Sequence, residues 1–441
     1  MKKTVLVLSL ATLMILLSAC KNALGISSAN SQTKENKDTK IETKENVDSK
    51  NETKENKDKI TKDYDIEKID RQLVDGSQEF AFNIFKELNK EDLEESIFIS
   101  PLSISQALTM TYNGAETSTK EGMEKVLGFS GLDRTLVNES YKNLNNFLKQ
   151  IDDKIELNIG NSIWVRENQA IKEEFLRTNE RTFNARVESL DFTDSKSADI
   201  INDWIKNATE GKIDKMLTPP IPPETIMYLI NAIYFKGNWN EQFDPKLTYK
   251  DDFTTLKGDV QKVNMMMREE TSVEYTEGKD FKAVRLPYGD KKVSMYIILP
   301  AEGLDINEFI NNITLDKWTG IKKTVSEKKD IIFRIPKFKL EYGIKDLTKS
   351  LKTLGMEEAF TKEADFSSIG NNLFISGVLH KAVIEVNEEG SEAAASTVVS
   401  VDVTSVREPL TFIANRPFMF IINDDVMDTI LFMGKVVNIE E

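Results

Sequence analysis

The spacing of apolar residues predicts a folded domain of mixed helices and strands from Ile69 onward. Apolar side chains recur at helical spacing at Phe80, Ile84, Phe85 and Leu88, so the first element is predicted to be an amphipathic helix. Helical and strand patterns then alternate irregularly, and strand patterns crowd the last third. The predicted strands are 159–165, 228–235, 293–299, 331–335, 379–386 and 418–422. This order predicts an α+β fold of about 370 residues with large, partly antiparallel sheets.

The segment 388–409 carries an alternation that is unusually long for a strand. From Ser391 every second residue is small and then β-branched: Ser391, Ala393, Ala395, Thr397, Val399, Val401 and Val403. The intervening residues are mostly polar: Glu392, Ala394, Ser396, Val398, Ser400, Asp402 and Thr404. This pattern is typical of a strand with an inward and an outward face, and about 14 residues of strand span roughly 46 Å. Strands usually have about 3–10 residues, so a long edge strand or a flexible loop of small residues are the alternatives.

The N-terminus has the pattern of an export signal. Two lysines follow Met1, an apolar run extends from Val5 to Leu17, and Leu-Ser-Ala-Cys ends at Cys20. The run is short for a transmembrane helix but fits a signal-peptide core, and the last four residues resemble a bacterial lipobox. We therefore expect a signal peptide over 1–19, a lipidated Cys20, and an exported protein anchored to the outer face of a bacterial-type cell membrane or outer membrane. An ordinary secretory signal with a chance cysteine is the alternative.

Residues 21–68 are polar and repetitive. Thr-Lys-Glu-Asn recurs every ten residues, starting at Thr33, Thr43 and Thr53, and basic and acidic residues are equally frequent. Such a segment cannot bury enough apolar surface to offset the entropy of ordering. We predict that 20–68 is a lipidated, disordered tether and that 69–441 is the folded domain. The alternative is that the last part of the tether docks on that domain.

Composition excludes several classes of function. The formal net charge is −15, which argues against nucleic acid as a partner. One cysteine, Cys20, and one histidine, His380, exclude internal disulfides, cysteine-based zinc sites and a Cys–His pair in the mature fold. A Ser–His–Asp triad could use only His380, which lies in a predicted strand, whereas a catalytic carboxylate pair stays formally open. We expect no enzyme activity, no metal, no cofactor and a monomer.

Several short segments carry a resemblance to a known family. Residues 388–397 read Glu-Glu-Gly-Ser-Glu-Ala-Ala-Ala-Ser-Thr, and residues 231–239 read Asn-Ala-Ile-Tyr-Phe-Lys-Gly-Asn-Trp. Shorter matches are Ser-Pro-Leu-Ser-Ile at 100–104, Leu-Pro-Tyr at 286–288 with Ser294-Met295, and Ala-Asn-Arg-Pro-Phe at 414–418. In these motifs the chain resembles the serpins from about Ile69 to Val437. The first segment is similar to the reactive-loop hinge of inhibitory members, and the second to the signature strand at the top of their central sheet.

The resemblance implies a fold and a set of site residues. It implies helices packed around three β-sheets, with a long exposed reactive loop. Its hinge would be formed by Glu388, Gly390, Ser391, Ala393, Ala394 and Ala395. A buried sheet-opening cluster, placed where two strands must part, would consist of Ser100, Ser103, Asn231 and His380. By the same mapping Lys337 should face Glu388 near the base of the loop, with Trp239 close by.

The resemblance also implies a mechanism in which no residue of this chain acts as a catalyst. A target serine protease would cut the loop, and the acyl-enzyme would be trapped as the hinge inserts into the central sheet. The usual loop length places the scissile bond at Thr404–Ser405, and Val403–Thr404 or a cut after Arg407 are alternatives. A small β-branched residue there favours elastase-like or subtilisin-like proteases. The competing interpretation is a non-inhibitory carrier or structural protein, which bulky or charged hinge residues would indicate.

Overall fold

The computed structural model describes residues 63–391 and 410–440, without the side chains of residues 269–271 and 391. In this part the α-helices are α1 (Arg71–Glu91), α2 (Pro101–Tyr112), α3 (Thr117–Leu127), α4 (Arg134–Lys149), α5 (Glu173–Phe183), α6 (Ser197–Ala208), α7 (Ile306–Asn312), α8 (Leu315–Thr324) and α9 (Thr348–Leu351). None of the described helices is long and apolar enough to cross a membrane.

Most of the described strands lie in the second half of the chain. They are β1 (Ile97–Ile99), β2 (Ile155–Arg166), β3 (Arg186–Leu190), β4 (Met227–Asn238), β5 (Tyr249–Thr254), β6 (Val260–Glu277), β7 (Phe281–Tyr288), β8 (Val293–Pro300), β9 (Ser326–Pro336), β10 (Phe338–Glu341), β11 (Lys345–Asp346), β12 (Gly377–Val386), β13 (Gly390–Ser391), β14 (Leu410–Ile413), β15 (Phe418–Asp424) and β16 (Thr429–Val436). Each predicted strand lies within an observed one, and the predicted first helix lies within α1.

The central sheet has the strand order β10-β12-β4-β2-β3, with β11 paired to β12 and β13 paired to β4. The remaining described strands form a ladder in the order β1-β16-β15-β8-β7-β6-β9-β14, with β5 paired to β6. This ladder contains two sheets, because the long strand β6 belongs to both. Its residues 260–265 pair with β5 and its residues 274–277 pair with β7, with register shifts between Arg268 and Val273. The predicted α+β fold with three sheets is therefore confirmed.

Local sequence explains where the first two helices begin and which side chains they bury. In α1, Asp70 caps the N-terminus by accepting a hydrogen bond from the Gln72 N–H, and the predicted apolar stripe is buried. In α2, Ser100 is the N-cap and Pro101 occupies the first turn, where no N–H is needed. All residues of α2 are buried, so this helix is enclosed by the core, behind the central sheet.

The front of the central sheet is covered by α6 and the segment that follows it. A second apolar cluster lies there and consists of Trp164, Phe192, Ala198, Ile201, Ile205, Ile213, Met216, Leu217, Ile221, Ile230, Ala232 and Leu379. Its members from β4 and β12 face α6, whereas the alternate residues of the same strands belong to the main core. Both faces of β4 and β12 are therefore buried, which is why these strands read as nearly continuous apolar runs.

The folded domain begins before the predicted boundary at residue 69. The Tyr64 ring packs edge-on against Phe147 of α4, with 5.4 Å between ring centroids. The Asp65 N–H donates to the Asn143 side chain at 2.8 Å, and the Asn146 side chain donates to the Asp63 carbonyl at 3.0 Å. Residues 63–68 thus dock on α4, although the sequence assigned them to a disordered tether. The tether's other residues, with Cys20, lie outside the described part of the chain.

Candidate functional site

The candidate site lies along the pair of neighbouring central strands β4 and β12. They run parallel, and their pairing extends from Gly377 opposite Tyr228 to Val383 opposite Tyr234. Beyond this point β4 continues to Asn238 and β12 to Val386, and the pairing of β12 with β10 continues only on its other edge. The two strands are therefore joined along their lower part and no longer paired with each other at the top.

The two-residue strand β13 occupies the unpaired top. It runs antiparallel to β4, with Gly390 opposite Asn238 and Ser391 opposite Gly237. The other edge of β4 is taken by β2, whose Ile155 also lies opposite Gly237. The strand β13 must therefore lie on the edge of β4 that faces β12. Its position and direction are those of the first residues of a strand entering between β4 and β12.

Gly390 meets a strict steric requirement at this entry point. Its φ is +139°, a conformation that residues with a Cβ rarely adopt. A Cβ at this position would lie 2.1 Å from the carbonyl oxygen of Gly237. The chain reverses direction here, since Asn387 and Gly390 exchange backbone hydrogen bonds of 2.9 and 3.3 Å. Only glycine permits both this reversal and the close approach to β4.

The turn before Gly390 is tied to the segment that follows β4. The Trp239 N–H donates to the Glu389 carbonyl and the Phe243 N–H to the Glu388 carbonyl, each at 2.8 Å. The Trp239 indole N–H donates to the Asn387 carbonyl at 3.0 Å. The indole is also stacked on Tyr288, with 4.4 Å between ring centroids. Three consecutive carbonyls of the loop base are therefore satisfied by one short segment.

A buried ion pair fixes the same turn. Glu388 is 7% exposed, and its carboxylate lies 2.8 Å from the Lys337 ammonium. It also accepts a hydrogen bond of 2.7 Å from the Thr248 hydroxyl. Burial alone would raise the pKa of Glu388, but the hydrogen bonds from Lys337 and Thr248 outweigh it and hold the pKa below its usual value. The base of the loop thus carries one stabilised negative charge. Thr248 had no recognisable signal in the sequence.

Lower down, the sheet-opening cluster spans the paired part of the two strands. His380 of β12 and Asn231 of β4 are direct partners in the strand register, and the His380 Nδ1 lies 2.5 Å from the Asn231 side-chain oxygen. On its other side the His380 Nε2 accepts a hydrogen bond of 3.2 Å from the Ser100 N–H. The Ser100 hydroxyl donates to the Leu431 carbonyl at 2.7 Å. Both ring nitrogens are therefore engaged, and the histidine bridges β12, β4 and α2.

Asn231 extends the cluster to a third strand. Its side-chain amide donates to the Ser103 hydroxyl and, at 2.6 Å, to the side-chain oxygen of Asn161 on β2. Asn161 is 3% exposed and lies opposite Asn231 in the register of β2 and β4. Asn161 was not among the predicted site residues. The available signal was a polar amide within the predicted apolar strand 159–165.

The cluster is electrically neutral. Burial lowers the pKa of His380 to about 3, because an imidazolium would lose its hydration without gaining an anionic partner. The neutral ring donates from Nδ1 to Asn231 and accepts at Nε2, and this tautomer satisfies both contacts. With both nitrogens committed to structural hydrogen bonds, His380 is not placed to act as a general base. In the part of the chain that is described, no three His, Cys, Asp or Glu side chains are grouped so as to hold a metal ion.

Some of the predicted site residues lie in the part of the chain that the structure describes, and others lie outside it. The structure brings together Glu388 and Lys337 at the loop base, near Trp239, and it brings together Ser100, Ser103, Asn231 and His380 below. Gly390 and the backbone of Ser391 lie at the top of β4. The positions outside the described residues are Cys20, Ala393, Ala394, Ala395, Val403, Thr404, Ser405 and Arg407.

Comparison with known proteins gives a consistent result. The family model described as "Serpin (serine protease inhibitor)" matches residues 75–439. A serpin-like protein of Methanosarcina acetivorans is 37% identical over 367 residues, covering 81% of this chain and 85% of that protein. The native structure of the thermophilic serpin tengpin is 35% identical, with a TM-score of 0.75, and covers 84% of this chain and 95% of that one. Human thyroxine-binding globulin complexed with thyroxine is 28% identical, with a TM-score of 0.76, over 84% of this chain and 100% of that one.

Proposed function

The chain belongs to the serpin family, and we propose that it is an inhibitory member that traps serine proteases. Members of this family are in general protease inhibitors rather than catalysts. The fold by itself does not decide between inhibition and another role, because a thyroxine-binding protein has the same fold. The decision rests on the hinge and on the strands that would receive it.

The observation that carries the proposal is the placement of β13. Its two residues lie on the edge of β4 that faces β12, antiparallel to β4. After Glu392, which belongs to the outward-facing polar set, the sequence continues with Ala393, Ala394 and Ala395, so no bulky, charged or proline residue stands at the inward-facing positions that would enter next. Small side chains can enter a closed core with little overpacking. A hinge built in this way favours insertion, and hence inhibition over passive binding.

The proposed trapping reaction uses the chemistry of the target enzyme. The protease serine attacks the carbonyl carbon of Thr404, an ester forms, and the peptide bond to Ser405 breaks with release of its amine. The freed hinge then extends β13 downward between β4 and β12 and separates the residues paired from Gly377 to Val383. The inserted strand satisfies the parted backbone groups. About 14 inserted residues span roughly 46 Å, which carries the tethered protease to the far end of the domain.

The proposed scissile bond is Thr404–Ser405, which favours elastase-like or subtilisin-like targets because a small β-branched side chain suits their small pockets. Mass spectrometry of the C-terminal fragment tests this assignment. A fragment that begins at Ser405 supports it. A fragment that begins at Glu408 indicates a cut after Arg407 and a trypsin-like target instead.

The proposed location is the outer face of a bacterial-type membrane, to which a lipidated Cys20 anchors the tether. This proposal is supported by the sequence of the export signal, since several acyl chains on one cysteine suffice for stable attachment. In fractionated cells, Cys20→Ser should move the protein from the membrane pellet to the soluble fraction. A substituted protein that still pellets would overturn the anchoring proposal and leave the inhibitory one untouched.

The inhibitory proposal is tested by incubation with a panel of elastase-like, subtilisin-like and trypsin-like proteases. We expect a covalent complex that survives boiling in detergent and runs at the combined mass of the two proteins. Cleaved inhibitor should also resist heat better than uncut inhibitor. If every protease cuts the loop or ignores it, with no complex and no gain in heat resistance, the chain is a non-inhibitory member of the family.

A further inference from the structure

Side-chain hydrogen bonds continue beyond the sheet-opening cluster, away from the strands. The side-chain amide of Asn161 donates to the Gln106 oxygen at 3.4 Å. The Gln106 amide in turn donates to the side-chain oxygen of Asn145 on α4 at 2.7 Å, and the Asn145 amide donates to the Thr182 carbonyl of α5 at 3.5 Å. Gln106 is 1% exposed, so it has no access to water that could replace these partners.

The hydrogen bonds form one chain with a single direction, which we call the amide chain. Each side-chain amide in it accepts through its oxygen from the preceding member and donates through its nitrogen to the next. Hydrogen bonds aligned in this way polarise and strengthen one another, so that loss of one link weakens its neighbours. From donor to acceptor the members are the Ser100 N–H, His380, Asn231, Asn161, Gln106, Asn145 and the Thr182 carbonyl.

The amide chain connects the part of the sheet that must open to helices that do not belong to it. Ser103 and Gln106 lie one turn apart on α2 and therefore on the same face. The first contacts Asn231 of β4 and the second contacts Asn161 of β2. One face of α2 thus holds two neighbouring strands of the sheet, and Asn145 orients the Gln106 amide from the other side.

We propose that Gln106 and Asn145 are positioning residues for sheet opening, which hold β2 and β4 against α2 in the closed arrangement and so slow strand insertion. The inference rests on the proposed function, because only an inserting member uses such a barrier. Neither residue contacts the hinge or the reactive loop in the described structure. They act through Asn161 and Asn231. The hydrogen bond between Asn231 and His380 is broken when β4 and β12 separate.

The test compares two substitutions of the same kind on α4. Asn145→Ala leaves Gln106 without its acceptor and interrupts the amide chain. Asn146→Ala is the matched control, since it removes a neighbouring asparagine of the same helix that contacts the Asp63 carbonyl instead. The rate of spontaneous loop insertion is measured on warmed, uncut protein as loss of inhibitory activity with gain of heat resistance. We expect insertion to be about five- to tenfold faster in Asn145→Ala than in Asn146→Ala, from the loss of one buried hydrogen bond.

Two further measurements separate positioning from a general loss of stability. Heat resistance of the loop-cleaved form should be the same in both variants, because the closed arrangement is absent there. Hydrogen exchange of the β4 and β12 amides in uncut protein should be faster in Asn145→Ala. A second variant, Gln106→Met, preserves volume and should show the same effects, with little further change when combined with Asn145→Ala.

The outcomes are distinguishable from failure of the proposed function. Equal insertion and exchange rates in Asn145→Ala and Asn146→Ala overturn the inference, as does an equal loss of stability in the uncut and cleaved forms. If wild type forms no covalent complex and gains no heat resistance on cleavage, yet exchange still rises only in Asn145→Ala, the inhibitory function is wrong and the amide chain holds the sheet for another reason.

Discussion

The top and the middle of the β4–β12 pair differ in strand pairing and in charge. At the top the strands are not paired with each other, a two-residue strand lies beside β4, and a negative charge on Glu388 is balanced by Lys337. In the middle the strands are fully paired, and the polar groups between them are neutral, buried and hydrogen-bonded. The same pair of strands is thus open to a third strand at one end and paired in the middle.

The difference shows how charge is distributed along a sheet that has to open in the proposed mechanism. The Lys337 side chain is about a third exposed whereas that of Glu388 is nearly buried, so water reaches the ion pair at the top from the lysine side and screens it in part. A charge between the strands in the middle would have no such access to water. The pKa of His380, lowered to about 3, follows from this position. The polar groups in the middle are therefore joined by neutral hydrogen bonds, which insertion of a strand would exchange for new ones in the proposed mechanism.

The largest expected effect comes from blocking entry at the top with Ser391→Arg. The alternation in the sequence places Ser391 among the small residues that would face the core, and a charge there costs several kcal/mol. Even about 3 kcal/mol on the insertion barrier slows insertion on the order of a hundredfold. Hydrolysis of the acyl-enzyme should then be faster than insertion, so that the variant is cut at the same bond and releases active protease. The stoichiometry of inhibition measures this.

Glu392→Arg is the matched control for that substitution. It adds the same side chain at the next position, which belongs to the outward-facing polar set, and it should retain a covalent complex. If both variants trap protease equally well, the hinge does not enter the sheet with the predicted face inward. If both fail equally, added positive charge rather than entry of the strand is responsible.

A smaller effect should appear in the middle when pH is lowered. The pKa of His380 in the folded protein lies below that of a histidine in the unfolded chain. Between these two pKa values the unfolded chain therefore binds a proton at this side chain and the folded protein does not. Stability is therefore complete above about pH 6.5 and is lost as pH falls towards 3, at about 1.4 kcal/mol per unit from this group at most. Between pH 6.5 and 5 the urea-derived free energy of unfolding should fall by about 2 kcal/mol more in wild type than in His380→Gln. Equal losses in the two proteins would contradict the account of the cluster.

The smallest effect is expected for the ion pair at the top. Glu388→Gln should lower the free energy of unfolding at pH 7 by about 1 kcal/mol, since the pair is partly screened by water. The same change at Glu385, an exposed carboxylate of β12, should have almost no effect and is the control. The pKa of Glu388 is lowered, so its contribution is present above the ordinary carboxyl pKa of about 4.5 and is lost as pH falls below it. A difference between wild type and Glu388→Gln that already shrinks at pH 5.5 would be inconsistent with this pair.

Much of the fold could be predicted because it depends on the local spacing of apolar residues. The apolar stripe of α1 and the strand containing His380 follow from periods of 3.6 and 2, which depend only on nearby residues. The continuous strand β6 was not predicted, since nothing in its sequence shows that it passes from one sheet into another. Docking of the last part of the tether was left as an alternative. The residues of 63–68 that dock on α4 are mostly polar, so composition alone could not decide between docking and disorder.

Prediction of the site residues depended on the family resemblance rather than on the spacing of residues in the sequence. His380 and Ser100 lie 280 positions apart in the chain, and only a known fold could place them together. Residues without a family motif were missed, such as Thr248 at the top and Asn161 and Gln106 in the middle. Their roles come from orientation across strands and helices, which a single sequence does not encode in any local pattern.

The most direct test of the account is an experimental structure of the protein after its loop has been cut. We predict a new strand formed by residues from Ser391 towards Thr404, lying between β4 and β12 and antiparallel to both. Asn231 and His380 should no longer be partners. A cleaved structure in which β4 and β12 keep their pairing from Gly377 opposite Tyr228 to Val383 opposite Tyr234, with the loop outside the sheet, would contradict the central claim.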